Sequence, residues 1–311
     1  MSAKRVLRIG TRGSVLALWQ AEWVRSQLLT SHKGLSVELV TIKTTGDKIL
    51  DVPLARVGGK GLFVKEIEDA LLEDRADLAV HSVKDMPAEL PEGLHLAVMP
   101  PREDARDVLV SRNHIELAQL EHGARVGTSS LRRASQLLHL RPDLRIEILR
   151  GNVDTRLRKL KSEGFDAIVL AAAGLKRMDL EHVISQYLPP DKMLPAVGQG
   201  ALGIETRTED GFTNQMVANL GHQPTMITVS SERAYLRRLE GGCQVPIGAH
   251  AAIDGEGLII TGMVADLNGK RMIRKTLRGG LLEAELLGDR LAEAVLESGG
   301  AEILAEIYDE Q

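Results

Sequence analysis

The sequence predicts an α/β protein with two similar α/β domains around a cleft and a small α+β third domain. Three observations lead to this prediction. Short aliphatic strands alternate with amphipathic helical stretches over the first part of the chain. One strand-turn-helix design occurs twice, starting at residues 8–14 and again at residues 125–136. From about residue 219, hairpin turns and a stretch rich in Ala, Leu and Glu replace the alternation.

Composition bounds the domain count and excludes several classes of protein. The chain has 311 residues, of which 43% are hydrophobic and 26% charged, enough for two or three domains. The net charge of −4 and the three Phe, three Tyr and two Trp argue against a bulk nucleic-acid binder. The N-terminus does not read as a signal peptide, and no apolar run approaches membrane-spanning length. We therefore expect a cytoplasmic protein that binds neither nucleic acid nor membrane.

The first domain is expected to contain strands separated by helices, with one long glycine-bounded loop. The helix at 15–29 offers Leu16, Trp19, Trp23 and Leu28 for a buried face. The loop at 44–61 is typical of a lid or binding loop, and its Gly59-Lys60-Gly61 lacks the glycine spacing and hydroxyl of a P-loop. The expected elements are strands at 6–10, 37–43, 78–80, 94–98 and 202–205, the last returning through a Gly/Pro hinge, and helices at 15–29 and 62–73.

Polar residues follow the expected strand at 78–80, in the sequence His81-Ser82-Val83-Lys84-Asp85-Met86-Pro87. Open α/β sheets bind ligands at the carboxyl ends of parallel strands, so this segment is a candidate ligand site. A solvated loop with one ion pair is the alternative.

The second domain repeats the plan of the first. Val126-Gly127-Thr128 with its following hydroxyls echoes Ile9-Gly10-Thr11, and Gly164-Phe165-Asp166 echoes Arg75-Ala76-Asp77. Gly-Thr turns at helix starts present backbone N–H groups to anions. The expected domains are 1–99 with 200–218, then 100–199, then 219–311.

A basic stretch runs from Arg132 to Lys161, with nine basic against three acidic residues. Arginine dominates it, which suits two-pronged recognition of carboxylates. Some of these side chains are expected only to solvate helix faces, namely Arg141, Arg158 and Lys159.

Cys243 is the single cysteine, so the chain cannot form an internal disulfide. It follows an amphipathic helix and Gly241-Gly242, and precedes Pro246, which places it on a stiff, sharply turned loop. An incidental small hydrophobe at a helix end is the alternative to a working thiol. An arginine-lined cleft, a constrained thiol and Asp85 together suggest a polyanionic organic ligand held covalently or handled by acid/base steps. None of the nine histidines lies in an evident catalytic motif, and metal-ligand spacing is absent.

The block from Glu232-Arg233 to Gly241-Gly242-Cys243-Gln244-Val245-Pro246-Ile247-Gly248 resembles the cofactor-attachment signature of the porphobilinogen deaminase (hydroxymethylbilane synthase) family. Further blocks resemble that family in its order: 81–87, 126–133, 149–156 and 171–177. The resemblance implies two domains like those of periplasmic binding proteins and a third that carries the cysteine. It also implies a transferase that adds four porphobilinogen units to a dipyrromethane cofactor, attached by a thioether to Cys243, and releases ammonia. A monomer is expected.

The same resemblance implies roles for individual residues. Asp85 would be the catalytic carboxylate that assists departure of the amino group, and Lys60 and Phe63 would belong to a lid. Cofactor binding would fall to Ser82, Lys84, Asp85, Thr128, Ser130, Arg132, Arg133, Arg150 and Arg156. Substrate binding would fall to Arg12, Ser14, Gln20 and Arg177.

Two other functions remain open from the residues alone. A solute-binding or sensor module uses the same paired α/β plan, but has no need of a thiol on a glycine turn. A thiol acyltransferase would require a histidine near Cys243.

Overall fold

The computed structural model describes residues 6–48, 64–240 and 245–309. The predicted lid residues Lys60 and Phe63 and the predicted attachment residue Cys243 lie outside these ranges. The described residues form two compact units. The first comprises residues 6–48, 64–103 and Ala201–Met226, and the second comprises residues 104–200, 227–240 and 245–309.

The first unit is a five-stranded sheet with helices on both faces. Its strands are β1 (Val6–Thr11), β2 (Ser36–Thr41), β3 (Leu78–Ser82), β4 (Leu94–Val98) and β10 (Leu202–Arg207), in the order β2-β1-β3-β10-β4. Its helices are α1 (Val15–Ser31), α2 (Thr45–Lys48), α3 (Lys65–Leu72), α7 (Gly211–Val217) and the first residues of α8 (Gln223–Arg238). Strands β2, β1 and β3 are parallel, whereas β10 runs antiparallel to β3 and β4. The predicted return of the 202–205 strand to this domain is confirmed.

Side-chain alternation along the strands places one helix on each face of this sheet. Leu78 and Val80 pack in one core cluster with residues of α1, and Ala79 packs in the other with residues of α3. Both faces of the central strands are therefore covered, as parallel sheets require.

The second unit contains a sheet of the same design. Its strands are β5 (Asp107–Ser111), β6 (Arg125–Gly127), β7 (Arg145–Glu147), β8 (Ala167–Ala171) and β9 (Gln186–Leu188), in the order β7-β6-β8-β5-β9. Its helices are α4 (Leu131–Leu140), α5 (Val153–Ser162) and α6 (Ala172–Arg177). Strands β7, β6 and β8 are parallel, and β5 is antiparallel in the position that β10 holds in the first sheet. The predicted duplication is thereby confirmed at the level of sheet topology.

One contact repeats with the duplicated design. The backbone N–H of Arg8 donates to the Asp77 carboxylate, and that of Arg125 donates to the Asp166 carboxylate, each at 2.8 Å. In each sheet, the aspartate that directly precedes one parallel strand (β3 or β8) therefore binds the backbone of the neighbouring parallel strand (β1 or β6).

The second unit also contains a three-stranded antiparallel sheet with its own helices. The strands β11 (Ile247–Asp254), β12 (Gly257–Ala265) and β13 (Met272–Gly280) are joined by the predicted turns at Asp254-Gly255 and Asn268-Gly269. Helix α8, α9 (Ala284–Val295) and α10 (Ala301–Asp309) supply the other side of its core, which includes Tyr235, Leu291 and Ile303. The fold class is confirmed; the three domain boundaries remain a prediction. In the described ranges, every helix is too short or too polar to cross a bilayer.

The buried face of α1 agrees with the predicted one only in part. Gln20, Val24 and Leu28 face the core, whereas Trp19 is 37% exposed. Residues at i, i+4 and i+8 share one helix face, and here that face begins with a polar residue. The prediction is right for Leu28, and Trp23 packs against the same core, but it is wrong for Trp19.

Candidate active site

The carboxyl ends of β1 and β3 lie at the same edge of the first sheet, because the two strands are parallel neighbours. Arg12 follows β1 directly, and Ser82 ends β3. A short 3-10 turn, Val83–Asp85, then carries Lys84 and Asp85. Tertiary structure thus brings four predicted site residues to one edge.

Helix α1 begins at this edge and is capped there. Ser14 is the N-cap residue, and its Oγ accepts a hydrogen bond of 3.3 Å from the backbone N–H of Ala17. The buried Thr11 donates from Oγ1 to the carbonyl of Ala17 at 3.2 Å. The turn that carries Arg12 is therefore fixed on both sides.

Gln20 and Ser82 contact each other directly. The Nε2 of Gln20 donates to the Oγ of Ser82 at 3.0 Å, and Gln20 is 3% exposed. A residue predicted to bind substrate and one predicted to bind cofactor therefore share a hydrogen bond.

Asp85 projects from a turn whose neighbouring residues are buried. The backbone N–H of Val83 donates to the carbonyl of Ala201 at 3.1 Å, and that of Met86 closes the turn onto the carbonyl of Val83. Val83 and Met86 are buried, whereas Asp85 is exposed. Its carboxylate makes no hydrogen bond or ion pair with the described residues, so both oxygens are available to a ligand.

A buried acid–imidazole cluster lies beneath this edge and was not predicted as a unit. His81 Nε2 lies 2.9 Å from Glu205 Oε2, and the two side chains are 4% and 0% exposed. Burial raises the pKa of Glu68 to about 7; the charge of Glu205 adds to this increase and that of His81 opposes it. Within the described residues, Glu205 Oε1 and Glu68 Oε1 have no hydrogen-bond partner. Sequence gave no signal for Glu68 or Glu205, because only the pairing of β10 with β3 brings Glu205 to His81.

The second sheet presents a comparable edge. Strands β6, β7 and β8 are parallel, so Thr128, Arg150 and α6, which follow them, lie at their shared carboxyl edge. Ser130 caps α4 by accepting from the backbone N–H of Arg133 at 3.4 Å, and Asn152 caps α5 by accepting from that of Thr155 at 2.9 Å. The two helix N-termini add positive potential to an edge that already carries arginines.

Arg132 and Arg133 are buried and share one carboxylate. Arg132 Nη1 lies 2.7 Å from Asp107 Oδ2, and Arg133 Nη2 lies 2.8 Å from Asp107 Oδ1. Burial alone would raise the pKa of Asp107, but the two guanidinium charges outweigh it and hold this pKa well below its usual range. Part of the positive charge predicted for this stretch is thus neutralised internally, by an aspartate that sequence reasoning missed.

Two further arginines are held by backbone carbonyls. Arg156 Nε donates to the carbonyl of Gly151 at 2.8 Å, and Arg177 Nη2 donates to the carbonyl of Gly200 at 2.7 Å. Arg177 is 8% exposed, while Arg156 is half-buried. These carbonyl contacts fix the orientation of both guanidinium groups at the edge of the second sheet.

Sequence profiles of one family match nearly the whole chain. The profile described as porphobilinogen deaminase, dipyromethane cofactor binding domain, matches residues 7–215. The profile described as porphobilinogen deaminase, C-terminal domain, matches residues 226–297. All of the first-unit and second-unit edge residues described above fall within the first match.

Relatives named porphobilinogen deaminase align along nearly their full length. That of Syntrophotalea carbinolica is 58% identical, over 97% of this chain and 96% of the relative. That of Nitratidesulfovibrio vulgaris (strain DP4) is 60% identical, over 97% of this chain and 96% of the relative. That of Geobacter sulfurreducens is 54% identical, over 98% of this chain and 96% of the relative.

Similarity to solved structures is weaker. The periplasmic aliphatic sulphonate binding protein SsuA from Escherichia coli has a TM-score of 0.40 and 17% identity, over 77% of this chain and 71% of that one. The BenM effector binding domain has a TM-score of 0.42 and 15% identity, over 70% of this chain and 91% of that one. Similarity at this level does not bear on function.

Proposed function

The chain belongs to the porphobilinogen deaminase family, and we propose that it joins four porphobilinogen molecules into the linear tetrapyrrole hydroxymethylbilane, with release of ammonia. Dipyrromethane is the cofactor of the matched domain. The enzyme is accordingly a transferase of tetrapyrrole and heme biosynthesis. The observation that carries this proposal is that the profile match at residues 7–215 spans both sheet edges that bear anion-binding groups.

The edge of the second unit suits a polycarboxylate ligand. Each pyrrole ring of the substrate and of the cofactor bears an acetate and a propionate, so the growing chain accumulates negative charge. Thr128 and Ser130 stand at the N-terminus of α4, and Arg150 and Arg156 flank that of α5. Helix N-termini and guanidinium groups are the protein groups that bind such anions best. We assign these residues and Arg132 to the cofactor. Arg133 keeps its predicted cofactor role from the resemblance alone, because its guanidinium binds Asp107 and the carbonyl of Val169.

The edge of the first unit carries the group for the chemical step. When bound, dipyrromethane supplies the pyrrole carbon to which the first substrate unit is joined. Asp85 is assigned to the leaving amino group of porphobilinogen: it holds the proton that departs with ammonia and stabilises the positive charge left on the substrate. Asp85 is exposed and can therefore reach a ligand. Backbone hydrogen bonds of Val83 and Met86 hold its turn in place.

Ser82 and Lys84 are assigned to the cofactor, and Arg12, Ser14 and Gln20 to the substrate. The hydrogen bond from Gln20 to Ser82 supports adjacent binding positions for substrate and cofactor on the first unit. Arg177 is assigned to the substrate from the second unit. Lys60 and Phe63 keep their predicted lid role as a proposal from the resemblance alone.

We also propose that the enzyme is a cytoplasmic monomer that binds no nucleic acid. Support comes from the net charge of −4 and from the single cysteine, because a chain with one cysteine has no internal disulfide of the kind that oxidising compartments favour. Light scattering of the purified protein tests the monomer, and a dimer mass contradicts it.

Intact-protein mass spectrometry tests the proposed function. We expect the purified enzyme to exceed its sequence mass by one dipyrrole, and added porphobilinogen to produce a ladder of heavier species. Cys243→Ser should show neither the added mass nor the ladder. An unmodified wild-type chain that produces no tetrapyrrole would contradict the assignment.

A further inference from the structure

Asp107 lies at the carboxyl edge of the second α/β sheet although it begins a strand. It is the first residue of β5, which runs antiparallel to β8, and it pairs with Ala171 at the end of β8. An antiparallel strand delivers its amino end to the edge where its neighbours finish. Asp107 therefore reaches, from within the sheet, the edge at which α4 begins.

The carboxylate of Asp107 is fully buried and accepts hydrogen bonds from three side chains. Oδ2 accepts from Arg132 Nη1 at 2.7 Å. Oδ1 accepts from Arg133 Nε at 3.0 Å, from Arg133 Nη2 at 2.8 Å and from Gln199 Nε2 at 3.0 Å. Both oxygens are engaged, as a buried carboxylate requires.

The two arginines use this carboxylate in different ways. Arg133 turns its Nε/Nη2 edge to Asp107 and donates from Nη1 to the carbonyl of Val169 at 2.9 Å, so it clamps Asp107 against the sheet. Arg132 uses only Nη1, which donates to Asp107 and, at 2.6 Å, to the carbonyl of Leu194. Among the described residues, Nε and Nη2 of Arg132 have no hydrogen-bond partner.

The vacant edge of Arg132 has the geometry that binds carboxylates. The Nε and Nη2 N–H groups of a guanidinium point in parallel and match the two oxygens of a carboxylate. Within this chain Arg8 pairs with Asp77 through these same two atoms, at 3.0 and 2.9 Å. Arg132 is 5% exposed, so its direction is set by its internal contacts and not by solvent.

We propose that Asp107 is a positioning residue that fixes Nη1 of Arg132 and so directs the Nε/Nη2 edge of Arg132 toward a carboxylate of the dipyrromethane. This inference rests on the proposed function, since it takes the cofactor as the ligand of that edge. Protein donors engage both oxygens of Asp107, so it acts through Arg132. Its pKa, held low by the two guanidinium groups, keeps it charged throughout the working pH range.

The experiment compares Asp107→Asn with Asp77→Asn by intact mass, steady-state kinetics and thermal unfolding. Asparagine keeps the shape of the side chain but loses the charge and offers an N–H where Arg132 Nη1 needs an acceptor. We expect the dipyrrole-bearing fraction of purified Asp107→Asn to fall about tenfold, the loss typical of a misdirected charge-assisted contact. Asp77 is 2% exposed and also binds two arginines, Arg8 and Arg207, but at the opposite edge of the other sheet. Asp77→Asn should lose stability and keep its cofactor.

A double variant separates positioning from stability. Arg132→Lys keeps the charge but removes the planar Nε/Nη2 edge, and should lose cofactor like Asp107→Asn. If Asp107 acts through Arg132, the double variant Asp107→Asn/Arg132→Lys should carry no less cofactor than Arg132→Lys alone. The proposal would be overturned if the double variant lost more cofactor than Arg132→Lys alone, or if Asp107→Asn had a normal dipyrrole-bearing fraction.

Failure of this inference is distinguishable from failure of the proposed function. A wild-type chain without dipyrrole contradicts the function, whereas a loaded wild type with a loaded Asp107→Asn contradicts the inference alone. Asp107→Glu, which keeps the charge one methylene further out, replaces Asp107→Asn if that variant does not fold. If neither folds, Asp107 serves folding only and the positioning role is wrong.

Discussion

Gln20, from the inward face of α1, donates a hydrogen bond of 3.0 Å to the hydroxyl of Ser82, the last residue of β3. The contact fixes the helix that starts beside Arg12 against the strand that leads to Asp85. A polar residue on a buried helix face requires such a partner. The face of α1 that packs on the sheet therefore also positions Ser82 at the carboxyl edge of the first sheet.

Replacing Gln20 by Leu should separate catalysis from stability. Leucine suits the buried face but cannot donate to Ser82, so we expect kcat/KM for porphobilinogen to fall about tenfold, with Tm unchanged or higher. Steady-state kinetics and calorimetry measure the two effects. Gln27→Leu, on the same helix, is the control and should stay within about twofold of wild type. If Gln20→Leu and Gln27→Leu had the same kcat/KM, the proposal that Gln20 belongs to the substrate site would be wrong.

Asp85→Ala should retain the cofactor and lose turnover. The side chain is exposed and makes no hydrogen bond or ion pair with the described residues, so folding and cofactor attachment should persist. We expect kcat to fall by about 10²–10⁴-fold, the range for a general acid–base group. Intact mass and stopped assays of tetrapyrrole formation measure the two properties. Glu89→Gln, an exposed carboxylate four residues further on, should keep near-normal rates. Near-normal rates in Asp85→Ala would refute its role.

Glu68 should make the enzyme less stable as the pH rises. Burial raises its pKa from 4.5 to about 7. Between these values the native state keeps a proton that the unfolded chain loses, so the free energy of unfolding falls as the pH rises through this range. Glu68→Gln removes this titration, so we expect it to gain about 3 kcal/mol on wild type between about pH 4.5 and 8, at 1.36 kcal/mol per pKa unit.

Urea unfolding across this pH range measures the gain. Glu73→Gln, an exposed substitution just past the end of α3, is the control and should follow the wild-type curve. A constant difference between Glu68→Gln and wild type at all pH values would contradict the predicted titration.

Gly151→Ala should disrupt the start of α5. Gly151 has a φ of +115°, and a Cβ there would lie 2.5 Å from Thr155 Cγ2. Its carbonyl also accepts from Arg156 Nε, so strain at this position moves a predicted cofactor ligand. We expect a stability loss of about 1–3 kcal/mol and a smaller dipyrrole-bearing fraction, measured by thermal unfolding and intact mass.

Gly211→Ala is the matched control for this substitution. Gly211 opens α7, and a Cβ there would meet nothing within 4 Å. Alanine at that position should leave cofactor content unchanged and add slightly to stability. The same loss in both glycine variants would argue against a specific role for Gly151.

Local patterns explain why much of the fold could be predicted. Strand alternation, the Ser14 and Ser130 caps and the hairpin turns at Gly255 and Gly269 each depend on residues close in sequence. The duplication was visible because Asp77 and Asp166 recur at the same place in each copy, and both bind the backbone of the first strand. The family resemblance named Asp85 and the arginines, and their roles stay predictions.

By itself, the sequence determined which segments become strands and helices and which family the chain resembles, because periodicity and motif spacing are short-range properties. Only the tertiary structure decided which face of α1 is buried, that Glu205 meets His81 and that Asp107 binds Arg132 and Arg133. The contacts of Glu205 and Asp107 join residues at least 25 positions apart in the sequence, and so does the hydrogen bond from Gln20 on the buried face of α1 to Ser82. A carboxylate is buried or exposed according to how its strand is paired within the sheet, and that pairing is fixed only when the whole domain packs.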